Sequence, residues 1–146
     1  MSTPSLDGDG HSLVIPSELA RLEEARLWVG RRAAAGGFGP RAVADLEVAV
    51  TEAISNVIRH SYDNDEGQEV HLCMTVNAEK LTITITDSGK HFDRSAQAPV
   101  DLDVPHAGGY GLYLIEEIMD EVEWESLSPR GNRLHLAKNR GSTDHG

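Results

Sequence analysis

Residues 41–60 carry apolar side chains at Val43, Leu46, Val50, Ala53, Ile54 and Val57, a stripe with a 3.6-residue period. Shortly after it the period drops to two. Val70, Leu72, Met74 and Val76 alternate with polar neighbours over residues 69–76, and Leu81, Ile83 and Ile85 alternate with three threonines over residues 81–86. A helix with one apolar stripe and a hairpin with one apolar face each need a cover, and each can supply the other's. The pattern predicts an α+β chain: a two-layer α/β sandwich with a mixed, mostly antiparallel sheet and helices on one face.

The flanking segments extend this plan. Residues 12–15 read as a short first strand. Pro16 and Ser17 then open a helix, with Ser17 as N-cap, Glu18 in the first turn, and Leu19, Leu22, Arg26 and Val29 at helical spacing. Gly36, Gly37 and Gly39 end it, and Pro40 suits the first position of the next helix. Asp87, Ser88 and Gly89 stop the second hairpin strand. Residues 90–110 form a long aperiodic segment, residues 111–119 a helix through Leu112, Ile115 and Met119, and residues 121–126 and 132–137 two further strands. One domain over residues 12–138 is expected, with flexible tails at 1–11 and 139–146.

Charge narrows the partners. The 146 residues hold 13 Lys plus Arg against 24 Asp plus Glu, a formal net charge of −11. Such a surface repels phosphate backbones, which disfavours direct nucleic-acid or anionic-membrane binding. A polyanionic ligand must then be held by backbone dipoles, a metal ion or a few placed cations. The single cysteine, Cys73, allows no internal disulfide and no thiolate-rich zinc site, and its place inside a strand suggests a buried small hydrophobe. The sequence shows no secretory signal and no apolar run long enough to span a bilayer, so a cytoplasmic location is expected.

Four local features carry possible chemistry, and each has a bland reading. Glu52 and Asn56 lie at i, i+4 beside the apolar stripe, a carboxylate able to hold a proton next to a carboxamide able to hold a hydrated cation. Taken alone they are an ordinary polar pair on a helix. Asp87-Ser88-Gly89 places a carboxylate at a strand end, where it can accept from the exocyclic amine of adenine but not from guanine's carbonyl, with Gly89 allowing close backbone approach. It also suits a plain turn. Gly108-Gly109-Tyr110-Gly111 runs into a helix, aiming free N–H groups and the positive dipole end at an anion, or else forms a hinge. Gly131 precedes the last strand and by itself marks only a turn. The histidines show no metal-type spacing, and the chain has no P-loop and no nucleophile elbow.

Taken in order, these features resemble the GHKL (Bergerat-fold) ATPases, and among them the bacterial anti-sigma factor serine kinases of partner-switching systems. Thr51-Glu52-Ala53-Ile54-Ser55-Asn56 through His60 resembles their N-box. Asp87-Ser88-Gly89 with Phe92-Asp93 resembles the G1 box, and Gly109-Tyr110-Gly111-Leu112 with the residues from Ile118 to Val122 the G2 box and its following helix. The resemblance spans about residues 12–138 and implies a histidine-kinase-like ATPase fold. It implies Glu52 as catalytic base toward a serine hydroxyl, Asn56 as ligand of Mg²⁺ on ATP, and Asp87 with Gly89 at the adenine. Gly109, Tyr110, Gly111 and Leu112 would cradle phosphates, and residues 90–110 would form an ATP lid. The implied partners are a STAS-type anti-anti-sigma protein, a sigma factor and a second copy of the chain as a homodimer.

The chain departs from the family pattern in three respects. His91 stands where the G1 box often has a second glycine, Asn132 and Arg133 follow Gly131 where threonine is common, and Asp101 and Asp103 put charge in the lid. Two functions therefore compete: an ATP-dependent serine kinase that also sequesters a sigma factor, and a catalytically weak or silent nucleotide-gated adaptor. A ligand-free interaction domain is a third.

Overall fold

The computed structural model describes residues 11–91 and 110–140. Five strands form one sheet: β1 (His11–Pro16), β2 (Glu69–Val76), β3 (Lys80–Asp87), β4 (Glu121–Ser126) and β5 (Asn132–Asn139), in the order β1-β2-β3-β5-β4. Every pairing is antiparallel, so the sheet is more uniform than the mixed one expected. Three helices, α1 (Leu22–Ala35), α2 (Pro40–Asn56) and α3 (Tyr110–Ile118), complete the α+β sandwich, with α2 packed between α1 and α3.

The two periods build the core between the layers. Leu46, Val50, Ala53 and Ile54 of α2 are buried against Leu72, Met74, Ile83, Ile85 and Leu136 of the sheet. Removing this much branched aliphatic surface from water is the main stabilising term, about 1.5–3 kcal/mol for each fully buried side chain. On the opposite face His71, Cys73 and Thr75 of β2 are exposed. Cys73 is thus not a buried hydrophobe: strand alternation puts Leu72 and Met74 inside, which forces their neighbours out.

The start of the first helix differs from expectation. Ser17 is fully buried, but it caps no helix; its hydroxyl donates to the Asp65 carbonyl (2.6 Å) and accepts from the Gln68 N–H (3.1 Å). A 3₁₀ turn at Leu19–Arg21 intervenes before α1, leaving Leu19 43% exposed, and the buried stripe is Ala25, Val29 and Ala33. Arg26 meets Glu23 and Glu47 at the margin of that stripe. At the other end of α2, the α-helix stops at Asn56 and a π-helical turn, Val57–Ser61, carries the chain onward.

A buried cation fastens α3. Lys138 of β5, 2% exposed, donates from Nζ to the Ile118 carbonyl at 2.7 Å and lies 3.6 Å from Asp45 of α2. It satisfies a carbonyl that the helix end leaves open and places positive charge at the negative end of the helix dipole. The last strand also runs into residues expected to fray: Asn139 is paired in β5, and Arg140 donates to the carbonyls of Gly36 and Asn77.

Candidate functional site

The cleft is built where α2 runs out above the ends of β3 and β5. Asp87 is the last residue of β3 and pairs in register with Asn132, the first of β5. Both point to the helix side, because Ile85 and Leu134 two residues away are buried there. The π turn swings Ser61 over the same spot. Asn56 and Asp87 consequently line one narrow pocket with Ala53, Val57, Ser61, Trp124 and Asn132. Its walls are largely apolar, with Asp87 and Asn132 at the floor.

Asp87 is 3% exposed, and burial raises its pKa above the ordinary 3.8. Hydrogen bonds to the carboxylate oppose that rise. Its Oδ1 accepts from the Gly89 N–H (2.8 Å) and from Asn132 Nδ2 (3.1 Å). Asn132 Nδ2 also lies within reach of Ser61 Oγ (3.2 Å) and the Lys90 carbonyl (2.9 Å). A carboxylate has about four acceptor positions, so these bonds orient Asp87 and leave capacity for a ligand's N–H.

The glycines have specific reasons. A Cβ on Gly89 would run into the Ser61 carbonyl, so the close approach at Gly89 is to the π turn rather than to open pocket. Lys90 N donates to that same carbonyl (2.9 Å), and Gly131 N to the Gly89 carbonyl (2.8 Å). Gly131 has φ +105°, and a Cβ there would sit 2.6 Å from the Asp87 carbonyl oxygen. Strain and collision act together. Gly131→Ala is expected to cost about 2 kcal/mol or more of stability, read as a lowered urea midpoint at unchanged slope.

Glu52 and Asn56 lie one helical turn apart, and α3 brings Gly111 against both. A Cβ on Gly111 would be 2.8 Å from Glu52 Oε1 and 3.6 Å from Asn56 Nδ2. The first turn of α3, with Tyr110, Gly111 and Leu112, therefore presents its free N–H groups beside the carboxylate and the carboxamide. Asn56 Nδ2 is buried and has no hydrogen-bond partner among the described residues. A buried amide donor left open costs about 1–3 kcal/mol, which marks this end of the pocket as built for something to occupy it.

The four expected features are thus neighbours in space: Asn56 and Asp87 line one pocket, Glu52 and Gly111 stand beside Asn56, and Gly89 and Gly131 lie against Ser61 and Asp87. Gly109 and Phe92-Asp93, like residues 92–109 of the expected lid as a whole, lie outside the described residues. Residues that the motifs did not flag complete the site. Asn132, a departure from the family pattern, holds Asp87 directly. Trp124 lines the wall, and the Tyr62 hydroxyl accepts from Ser88 N (2.7 Å) while donating to the Glu69 carbonyl (2.6 Å). His91 donates from Nε2 to the Leu127 carbonyl at 2.6 Å and so ties the chain just after β3 to the turn after β4. Among the described residues no group of three His, Cys, Asp or Glu side chains forms a metal site, and no helix is long and apolar enough to cross a membrane.

Comparison with known proteins places these features in context. A model of the histidine kinase-like ATPase domain matches residues 15–138. The chain is 31% identical over 123 residues to the serine-protein kinase RsbW of Listeria monocytogenes, covering 79% of this chain and 78% of that one. The RsbW of Bacillus velezensis is 32% identical over 141 residues, 90% of this chain and 88% of that one. A crystal structure of the RsbU and RsbW domains of a Mycobacterium tuberculosis protein superposes with TM-score 0.65 at 14% identity, over 88% of this chain. This chain spans 31% of that longer one, and the likeness is one of fold.

Proposed function

Because the chain belongs to the histidine kinase-like ATPase family, alongside the RsbW serine-protein kinases, we propose that it is an ATP-dependent serine kinase and anti-sigma factor. Its substrate is a serine on a STAS-type anti-anti-sigma protein, and in the alternative complex it holds a sigma factor in the cytoplasm. One observation carries this reading: Asn56 lines the same pocket as Asp87 and also stands beside Glu52 and the first turn of α3.

The residues fit the ligands this activity needs. Asp87 accepts from the adenine amine, and the apolar walls take the flat base. The backbone N–H groups at Gly111 and Leu112 suit phosphate oxygens, which lets a chain of net charge −11 hold a triphosphate without a cluster of lysines. Asn56 would hold Mg²⁺ through its side-chain oxygen, the ion neutralising charge on the phosphates when bound, while its open, buried Nδ2 suits an acceptor such as a phosphate oxygen. Glu52 orients the attacking serine hydroxyl and takes its proton. Phosphoryl transfer depends on positioning and charge compensation more than on covalent help, so this small set suffices.

Incubation with labelled ATP, Mg²⁺ and the STAS partner should label one partner serine. Nucleotide binding without any labelled partner would favour the silent adaptor instead. His91, Asn132 and Arg133 motivate that alternative; of these, Asn132 donates its amide to Asp87 and so supports the pocket's carboxylate.

Gly111→Ala separates folding from chemistry. The new methyl meets the free end of the Glu52 side chain, which can swing away, while alanine is the better helix former by up to about 1 kcal/mol. Unchanged or slightly raised thermal stability is expected, with transfer at least about tenfold slower because the carboxylate is displaced.

A further inference from the structure

At the other end of the sheet, where Lys80 rather than Asp87 faces β5, lies a second cleft of about 330 Å³ lined by His11, Arg32, Gly36, Met74, Val76 and Arg140. In a chain with 24 acidic residues, Arg21, Arg26, Lys80, Lys90, Arg133 and Lys138 each have a carboxylate within reach. Arg32 and Arg140 have not, among the described residues. Each guanidinium is instead set over an aromatic ring: Arg32 lies 5.2 Å from the centre of Trp28, and Arg140 lies 4.7 Å from that of Phe38. Arg140 is further tethered to the carbonyls of Gly36 (2.8 Å) and Asn77 (2.9 Å). Nε of both arginines is buried without an acceptor.

We propose that this cleft is an anion site for a phosphate monoester, distinct from the nucleotide pocket and independent of it. Two fixed guanidiniums supply a charge of +2, matching a phosphate monoester near neutral pH better than a carboxylate. Stacking on Trp28 and Phe38 holds the guanidiniums in place before the ligand arrives, so little side-chain entropy is lost on binding. Met74 and Val76 give the ester's carbon side an apolar wall. The phosphate could belong to a free metabolite or to a phosphorylated side chain of a protein; the cleft recognises the group they share.

The two tryptophans of the chain report the two sites separately, since Trp28 lies under Arg32 and Trp124 lines the nucleotide pocket. Titrating the full chain with inorganic phosphate at constant ionic strength should shift the Trp28 indole N–H resonance saturably and leave Trp124 in place. Arg32→Gln, which breaks no hydrogen bond within the described structure, should keep the melting temperature and weaken binding by about tenfold or more. Arg32→Lys should lie between, because charge remains and the planar fork is lost. A phosphoserine peptide binding tighter than inorganic phosphate assigns the group to a protein, and equal affinity assigns it to a free ester; either supports the site. The proposal fails if Trp28 moves no more than with chloride, if acetate binds as well, if only Trp124 responds, or if folded Arg32→Gln binds normally.

Discussion

Glu52→Ala is expected to slow phosphoryl transfer to the partner serine by about 10²- to 10³-fold, while nucleotide affinity stays within about threefold of the parent. The magnitude is that of a positioned general base. It falls short of the upper range because a loose transition state asks less of a base than of charge neutralisation. Glu52 is half-buried, and its Oε1 stands where a Cβ on Gly111 would come, so shortening the side chain opens space and buries no new polar group. Glu52→Gln sharpens the result. It keeps the shape and removes the proton acceptor, so it should be as slow as alanine if the carboxylate takes the proton. A Glu52→Ala protein that labels its partner at full rate would remove Glu52 from the chemistry. Loss of ATP binding in the same variant would show it to be part of the pocket instead.

Asp87→Asn should weaken ATP binding by about 10- to 100-fold, the value of a hydrogen bond to a charged acceptor of about 1.5–3 kcal/mol, with little change for GTP. Asparagine also offers an N–H₂ where the adenine amine needs an acceptor. Stability should move the other way. Burial raises the Asp87 pKa above 3.8, so the folded state gains from this group only at low pH and loses that gain as pH climbs through the raised value. At neutral pH the ionised carboxylate is therefore a cost to the fold. Asparagine removes the charge and keeps an oxygen for the Gly89 N–H and the Asn132 amide, giving up the longer 3.4 Å contact to Oδ2. The variant should be at least as stable as the parent at pH 7, with the difference shrinking toward pH 4. Unfolding curves across that range test it, and a variant less stable at pH 7 than at pH 4, relative to the parent, would contradict the burial cost. A buried carboxylate kept at a cost to the fold is a common compromise at binding sites.

Much of the scaffold could be read from periodicity. The stripe from Leu46 to Ile54 and the alternation from Val70 to Ile85 reappear as the facing surfaces of the core, because burial is what produces both patterns. Glu52, Asn56, Asp87 and Gly111 could be picked out because each motif has its own local geometry. What escaped depends on contacts distant in sequence. Ser17 looks like a helix cap, yet it bonds to Asp65 and Gln68 across the fold. Nothing near Asn132 says that it will stand opposite Asp87; strand register decides that. The π turn at Val57–Ser61 continues an apolar stripe that fits an α-helix equally well, and its Ser61 carbonyl lies against Gly89, a contact distant in sequence. Cys73 is exposed although its residue type favours burial, because its place in the alternation points outward.

Lys138 gives α3 one moored end. Ile118 is held to β5 with a link to Asp45 on α2, while at the opposite end of the helix Gly111 lies against Glu52 and Asn56. One buried ammonium thus knots three elements together, and a substitution that removed it would unfasten the carboxyl end of α3 from the last strand and from α2 at a single stroke.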